Sequence, residues 1–242
     1  MLHYKKRIVI TGGSGRFGKV FKREAHKYNY DFFFPSSKEL NILNQKSIRK
    51  YLLKKKPKYL IHLAGLSRPM KIHEKSPLES IDKNIIGTAN ITKACINSNI
   101  KLIYISTCYV YPGKKGNYSE QSPLLPINNY AWSKLGGESS VMLYKNSLIL
   151  RASITEKPFV HKVAFGDFKT NFIFHEDLIQ KIIKIINQKG VINIGGKSQS
   201  VYNFVKKYNK KIKKIYEKKL LGKNTPLNIT MNISKFKKLI ND

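Results

Sequence analysis

The sequence predicts an α/β fold, a doubly wound parallel sheet with helices on both faces, and two observations predict it. Short apolar runs alternate with stretches of helical periodicity along most of the 242 residues, the pattern of strands joined by crossover helices that cover the sheet. The first run, Arg7–Thr11, passes straight into Gly12-Gly-Ser-Gly15-Arg-Phe-Gly18 at the head of a helical pattern. A glycine-rich strand-to-helix turn lets backbone amides approach one point closely and aims the positive end of a helix dipole at it.

Taken in order, the apolar runs Arg7–Thr11, Asp31–Phe34, Tyr59–Leu63, Lys101–Ser106, Ser147–Arg151 and Gly190–Ile194 read as strands, being short and rich in β-branched and aromatic residues. Between them lie helical patterns at roughly Arg16–Asn29, Gln45–Lys55 behind an Asn44 cap, Ile81–Ser98, Tyr130–Tyr144 and Asp177–Gln188. Pro and Gly cluster over Pro112–Pro126, a loop expected to cross the mouth of a site at the carboxyl ends of the strands, where such sheets bind ligands. From about Ser153 the pattern loses regularity. The expected organisation is a Rossmann-type, NAD(P)-binding domain over residues 1–152. A small, shortened substrate-binding portion over 153–242 interleaves with that sheet.

Composition sets outer bounds. No apolar stretch approaches twenty residues, so no membrane span is expected. The first strand begins within about seven positions, which leaves no room for a secretory leader. Cys95 and Cys108 are the only cysteines, too few for a disulfide framework or a metal site of the usual spacing. A reducing cytoplasm is the simple expectation. The net charge of +32 raises the question of a nucleic-acid partner. The positive residues are nearly all Lys and are spread along the chain; the local runs Lys54–Lys56 and Lys206–Lys219 read as solvated helix faces. No nucleic acid is therefore expected, although the charge suits attraction of an anionic cofactor and a diphosphate-bearing substrate.

The chemistry is concentrated in three places. Ile103-Tyr-Ile-Ser-Thr107 ends a strand on a hydroxyl. Tyr130-Ala-Trp-Ser-Lys134 places a phenol and an ammonium one helical turn apart, on one face. A nearby ammonium stabilises phenolate and lowers the phenol pKa, so that the group exchanges a proton near neutral pH, which suits carbonyl reduction. The glycine turn is the third place. At the end of the second strand, Phe34-Pro-Ser-Ser-Lys38 carries no acid of the kind that binds a ribose 2′-hydroxyl. Ser36, Ser37, Lys38 and Arg16 instead suit a 2′-phosphate, favouring NADPH, with NADH also compatible.

Further pieces stand in the same order. They are Lys38-Glu-Leu-Asn-Ile42, Leu60-Ile-His-Leu-Ala-Gly65, Glu74-Lys-Ser-Pro77, Asn84-Ile-Ile-Gly87, Ser106-Thr-Cys-Tyr-Val-Tyr-Pro-Gly113, Arg151, His175-Glu-Asp177, Asn193-Ile-Gly-Gly196 and the stretch from Thr225 to Lys235. With these the chain resembles, nearly end to end, the extended short-chain dehydrogenase/reductase family in its nucleotide-sugar branch, typified by dTDP-4-dehydrorhamnose reductase. The resemblance implies reduction of the 4-keto group of a nucleotide-linked 4-keto-6-deoxy sugar, for glycan or surface polysaccharide synthesis. It makes Thr107, Tyr130 and Lys134 catalytic. It places Gly12, Gly15, Arg16, Phe17, Gly18, Ser36, Ser37, Lys38, Asn41, Ile42, Ala64, Gly65, Tyr130 and Lys134 against the cofactor.

Departures from the pattern narrow the reading. The branch's terminal signature contains an Arg and an Asp that the stretch from Thr225 lacks. Related dehydratases carry Asp-Glu after the strand-end Thr, where this chain has Cys108 and Tyr109, which argues against dehydration. GDP-fucose synthase, a related epimerase-reductase, uses a Cys one position away, on Tyr109 here, so Cys108 reads as a packing residue, with His161 and His175 as unsupported partners. His62 and His73 read as packing or surface residues, and Trp132 as either helix packing or a ligand-stacking ring. Three alternatives stay open: a nucleotide-sugar 4-epimerase or epimerase/reductase, a non-catalytic nucleotide-binding regulatory subunit, and a basic nucleic-acid-binding module. A homodimer is compatible with the sequence.

Overall fold

The computed structural model describes residues 5–216 and 226–241; positions 217–219 of the lysine run and Thr225 lie outside them. Six strands form the central parallel sheet: β1 (Arg7–Thr11), β2 (Asp31–Phe33), β3 (Tyr59–His62), β4 (Lys101–Thr107), β5 (Ser147–Ala152) and β6 (Gly190–Ile194). Their order is β6-β5-β4-β3-β1-β2. The helices that cross between them are α1 (Arg16–Glu24), α2 (Gln45–Lys55), α3 (Gly87–Asn97) and α4 (Asn129–Met142), with α5 (His175–Lys184) following later.

The register follows from burial. Ile8, Val9 and Ile10 pair with Tyr59, Leu60 and Ile61, and Leu60, Ile61 and His62 pair with Leu102, Ile103 and Tyr104. Every residue of β4 is buried, as expected of a central parallel strand covered on both faces. Ile48 and Leu52 of α2, Ile91 and Cys95 of α3 and Val141 of α4 close one face over Val9, Leu60, Leu102 and Ile149. Each such side chain contributes roughly 1.5–3 kcal/mol by leaving water.

Local signals explain most boundaries. Asn44 caps α2 by accepting the Ser47 N–H at 2.9 Å, as the sequence predicts, and Lys56 ends it in the left-handed conformation. The pattern predicted to run from Arg16 to Asn29 stops as an α-helix at Glu24 and tightens into a 3₁₀ turn over Ala25–Lys27. The pattern predicted over Ile81–Ser98 is two pieces, a π-helical turn Ile81–Ile86 and α3. The described lysines after Lys206, from Lys207 to Lys214, correct an expectation: they do not lie on a helix face. The helix ends at Lys206, Asn209 Oδ1 turns the chain by accepting the Lys211 N–H at 3.1 Å, and Lys213–Ile215 is a strand.

By compactness the chain forms two units. The first comprises Met1–Ser106, Asn129–Leu150 and Ile186–Val191, which is nearly all of the sheet and α1 to α4. The second comprises Thr107–Asn128, Arg151–Ile185 and Ile192–Asp242, built from strand pairs of two or three residues: Ile154–Thr155 with Ile173–Phe174, Val163–Phe165 with Lys213–Ile215, and Lys169–Thr170 with Gln199–Ser200. Among the described residues no helix is long and apolar enough to cross a membrane.

Candidate active site

The glycine turn is shaped by backbone contact. Gly12 has φ +73°, and a Cβ there would lie 2.6 Å from the Ala64 nitrogen; a Cβ on Gly18 would lie 2.2 Å from the Gly12 carbonyl oxygen. Only glycine satisfies the first conformation without strain. Gly15 stands in the N-cap position of α1 with no side-chain cap, and the first turn holds no acid. Arg16 is exposed and Phe17 half-buried. The turn therefore fits a pyrophosphate: it is a close-packed backbone cradle with the positive end of a nine-residue helix at its centre and no competing carboxylate in its first turn.

Beneath the turn lies a buried polar chain. Thr11 Oγ1 accepts the Ala64 N–H at 3.2 Å and lies 2.7 Å from His62 Nδ1, while His62 Nε2 lies 3.1 Å from Thr88 Oγ1. The neutral ring donates through one nitrogen and accepts through the other, so the two threonine hydroxyls play opposite parts toward it. Burial, reinforced by the charge of Lys134, pushes the His62 pKa down to about 3, so the ring is a neutral strut tying β1 and β3 to α3. The packing reading of His62 and His73 fits their full burial.

Asn84 makes a second connection. Its Oδ1 accepts the Leu66 N–H at 2.7 Å, and its Nδ2 donates to the Leu66 carbonyl at 2.9 Å and to Ser133 Oγ at 2.8 Å. Ser133 Oγ donates in turn to the Tyr130 carbonyl at 2.8 Å. The π-helical turn carries Asn84 into this position, a frequent use of such turns. Ala64 and Gly65, at the end of β3, are thereby linked to the first turn of α4.

Tyr130 is half-buried, with the buried His73 ring packed against its own at 5.1 Å. His73 Nδ1 lies 2.7 Å from Ser80 Oγ. Lys134 is 9% exposed; its Nζ stands 4.1 Å from the Tyr104 ring centroid, and Tyr104 Oη donates to the Lys134 carbonyl at 3.1 Å. Burial pushes the Lys134 pKa down to about 7, and the charge of Glu138 opposes the fall. Glu138 is 1% exposed and accepts from Ser106 Oγ at 2.7 Å. An ammonium one helical turn from a phenol can lower the phenol's pKa.

The remaining residues fall as follows. Ser36, Ser37, Lys38 and Asn41 are exposed. The Glu39 carboxylate accepts both the Ser36 N–H at 2.8 Å and Ser36 Oγ at 2.9 Å. Asn41 Oδ1 accepts the Leu43 N–H at 2.9 Å, and Ile42 packs against Gly87 of α3. Thr107 closes β4 as the first residue of the second unit, where its Oγ1 accepts the Tyr109 N–H at 3.2 Å. Cys108 is buried beside the hydroxyls of Thr107, Ser153 and Thr170, and burial pushes its pKa up to about 11. Trp132 is 53% exposed, so about half of its surface is covered and half faces outward.

Sequence reasoning missed Asn84, Ser133 and Glu138 as parts of this site. Glu138 had a signal, since it stands one turn beyond Lys134 on the same face. Asn84 and Ser133 stand in the pieces Asn84-Ile-Ile-Gly87 and Tyr130–Lys134, yet nothing local joins them, because their hydrogen bond spans 49 positions.

The fold is that of dTDP-4-dehydrorhamnose reductase from Bacillus anthracis, solved in complex with NADP: the TM-score is 0.85 at 24% identity over 97% of this chain and 92% of that one. Residues 6–163 match the RmlD substrate binding domain family, and the chain belongs to it. Methionine adenosyltransferase 2 subunit beta of Xenopus laevis is 29% identical over 144 residues, 57% of this chain and 43% of that protein. GDP-L-colitose synthase of Yersinia pseudotuberculosis is 33% identical over 107 residues, 44% and 35% of the two chains. The matched stretch spans less than half the length of these curated relatives.

Proposed function

We propose that this protein is an NADPH-dependent reductase of the 4-keto group of a nucleotide-linked 4-keto-6-deoxy sugar, acting in the cytoplasm toward glycan or surface polysaccharide synthesis. The observation that carries the reading is a buried Lys134 one turn from Tyr130 on α4, in the unit that also holds a glycine turn shaped for a pyrophosphate. Membership of the RmlD substrate binding domain family and the NADP in the Bacillus anthracis reductase support it.

In this reading residues 1–152 hold the cofactor and 153–242 the sugar. Gly12 to Gly18 take the pyrophosphate, Ser36, Ser37, Lys38 and Arg16 the 2′-phosphate, Asn41 and Ile42 lie near the adenine, and Ala64 and Gly65 lie beside the cofactor at the end of β3. The bound cofactor supplies the hydride. Tyr130 gives its phenolic proton to the oxygen that becomes the new hydroxyl. Lys134 lowers the Tyr130 pKa and holds the nicotinamide ribose, and Thr107 hydrogen-bonds the carbonyl. Ser36 has its N–H and hydroxyl engaged by Glu39, so Lys38 and Arg16 carry most of the discrimination for NADPH.

Incubating the purified protein with NADPH and a panel of 4-keto-6-deoxy sugar nucleotides tests this. Loss of the reduced-nicotinamide absorbance with at least one of them is the expected result. A second reading, a non-catalytic nucleotide-binding subunit, draws on the likeness to methionine adenosyltransferase 2 subunit beta and predicts binding without turnover. An epimerase would retain its cofactor and consume none.

A further inference from the structure

Lys134 poses a physical problem that the proposed reaction does not solve by itself. An ammonium lowers a phenol's pKa only while it is charged, and burial favours its neutral form. The groups around it decide the matter. Tyr104 on β4 presents its ring at 4.1 Å, a weak attraction for a cation. His62 on β3 is kept uncharged by burial. Among the other ionisable groups on elements packed against α4, Asp82, Lys75 and Lys93 are exposed, Lys83 is paired with Glu79 at 2.7 Å, Glu74 accepts from the Asn129 side chain at 2.5 Å, and the His73 ring lies against Tyr130. Glu138 is the buried acid, one turn from Lys134 on the same helix.

We propose that Glu138 is a positioning residue, whose carboxylate, fixed by the Ser106 hydroxyl, keeps Lys134 protonated so that Tyr130 can act. The inference rests on the reductase reading and adds to it a residue with no contact to substrate assigned. The phenol, the ammonium and the carboxylate occupy positions 130, 134 and 138 of α4, so each lies one turn from the next. Ser106 stands at the end of β4 and holds Glu138 Oε2 at 2.7 Å, which removes the side-chain freedom that weakens an exposed ion pair. Glu138 already works against the burial of Lys134, whose pKa stands at about 7. Without the carboxylate that value falls further, and the ammonium is lost in the range where a reductase works.

The test is Glu138→Gln, which keeps an acceptor for Ser106 and removes the charge. A pH titration of the Lys134 ε-carbon by NMR on ε-¹³C-lysine protein, assigned with Lys134→Met, reads the proposal without any substrate. The expected result is a downward shift of about one pH unit or more. Where the wild-type protein turns over, the alkaline limb of its activity profile moves the same way, with a loss of about tenfold at pH 8 and about twofold at pH 6. A titration unmoved by the substitution overturns the proposal, whatever the turnover. A protein inactive on every sugar nucleotide, yet showing the shift, overturns the reductase reading instead. Should the amide fail to fold, Ser106→Ala must move the titration in the same direction by a smaller amount, and no movement overturns the proposal.

Discussion

The first unit is ordered mainly by backbone, the second by side chains. In the first, parallel ladders and apolar helix faces fix the chain, and two short polar links tie Thr11 through His62 to Thr88 and Asn84 through Ser133 to Tyr130. In the second, the ladders are two or three residues long and a buried polar knot takes their place. Arg151 donates to Tyr111 Oη at 2.9 Å and to the Glu120 carbonyl at 3.2 Å. Tyr111 Oη also donates to Asn193 Oδ1 at 2.8 Å, the Asn193 N–H goes to Glu120 Oε1 at 2.9 Å, and its Nδ2 goes to the Tyr118 carbonyl at 2.9 Å. The carboxyl-terminal stretch laces into the same unit through Asn228 N–H to the Gly113 carbonyl and Met231 N–H to Asn171 Oδ1. Where the ladders are short, polar side chains take over the tying of the chain.

That contrast breaks most sharply at Lys134. Lys134→Met is expected to cut turnover by about 10²–10⁴-fold, the usual worth of positioned acid–base chemistry; it lifts the burial penalty on the ammonium but leaves Glu138 a buried acid without its cation, so the two effects on stability oppose each other. The sign with pH follows from its lowered value. Between about 7 and the ordinary 10.5 the unfolded chain binds the proton that the folded chain has released, so wild-type stability rises with pH through that window. Relative to the wild type, the Met variant therefore stands best below pH 7 and loses ground toward pH 10.5, as denaturant melts across pH will read. A difference between the two proteins that stays constant from pH 6 to pH 10.5 would place the ammonium in solvent.

Arg151→Met addresses the other unit. It leaves the Glu120 carbonyl and Tyr111 hydroxyl short of a buried donor and is expected to cost about 3 kcal/mol, seen as a lower denaturation midpoint with NADPH affinity little changed. Loss of cofactor affinity at constant stability would contradict the structural role. The smallest effect is expected at Lys38, which is exposed. Lys38→Ala should reduce the preference for NADPH over NADH by about fivefold, near 1 kcal/mol, measured as the ratio of their kcat/KM values.

The same contrast governs what was legible in the sequence. The strands were readable because parallel strands buried on both faces are continuous apolar runs, and α2 because Asn44 signals its start. Local structure at the candidate site was readable too: the tight glycine turn between β1 and α1, and Tyr130 with Lys134 one turn apart on one helix. The π-helical turn was invisible, since apolar periodicity over Ile81–Ser98 reads as one helix, and only the contact of Asn84 with Leu66 and Ser133 explains the extra residue. His62 gave no sign of its role because its partner Thr11 is 51 positions away. The run after Lys206 misled for the opposite reason. Its charge suggested a helix face, whereas the Asn209 turn and the pairing of Lys213–Ile215 with Val163–Phe165 depend on distant chain.

The measurement that bears most directly on the proton-donor assignment is a paired one on Tyr130→Phe: NADPH affinity by fluorescence, and NADPH consumption with the sugar nucleotide that the wild-type protein turns over best. Retained affinity with turnover reduced by at least about 10²-fold is the predicted result. Undiminished turnover would contradict it.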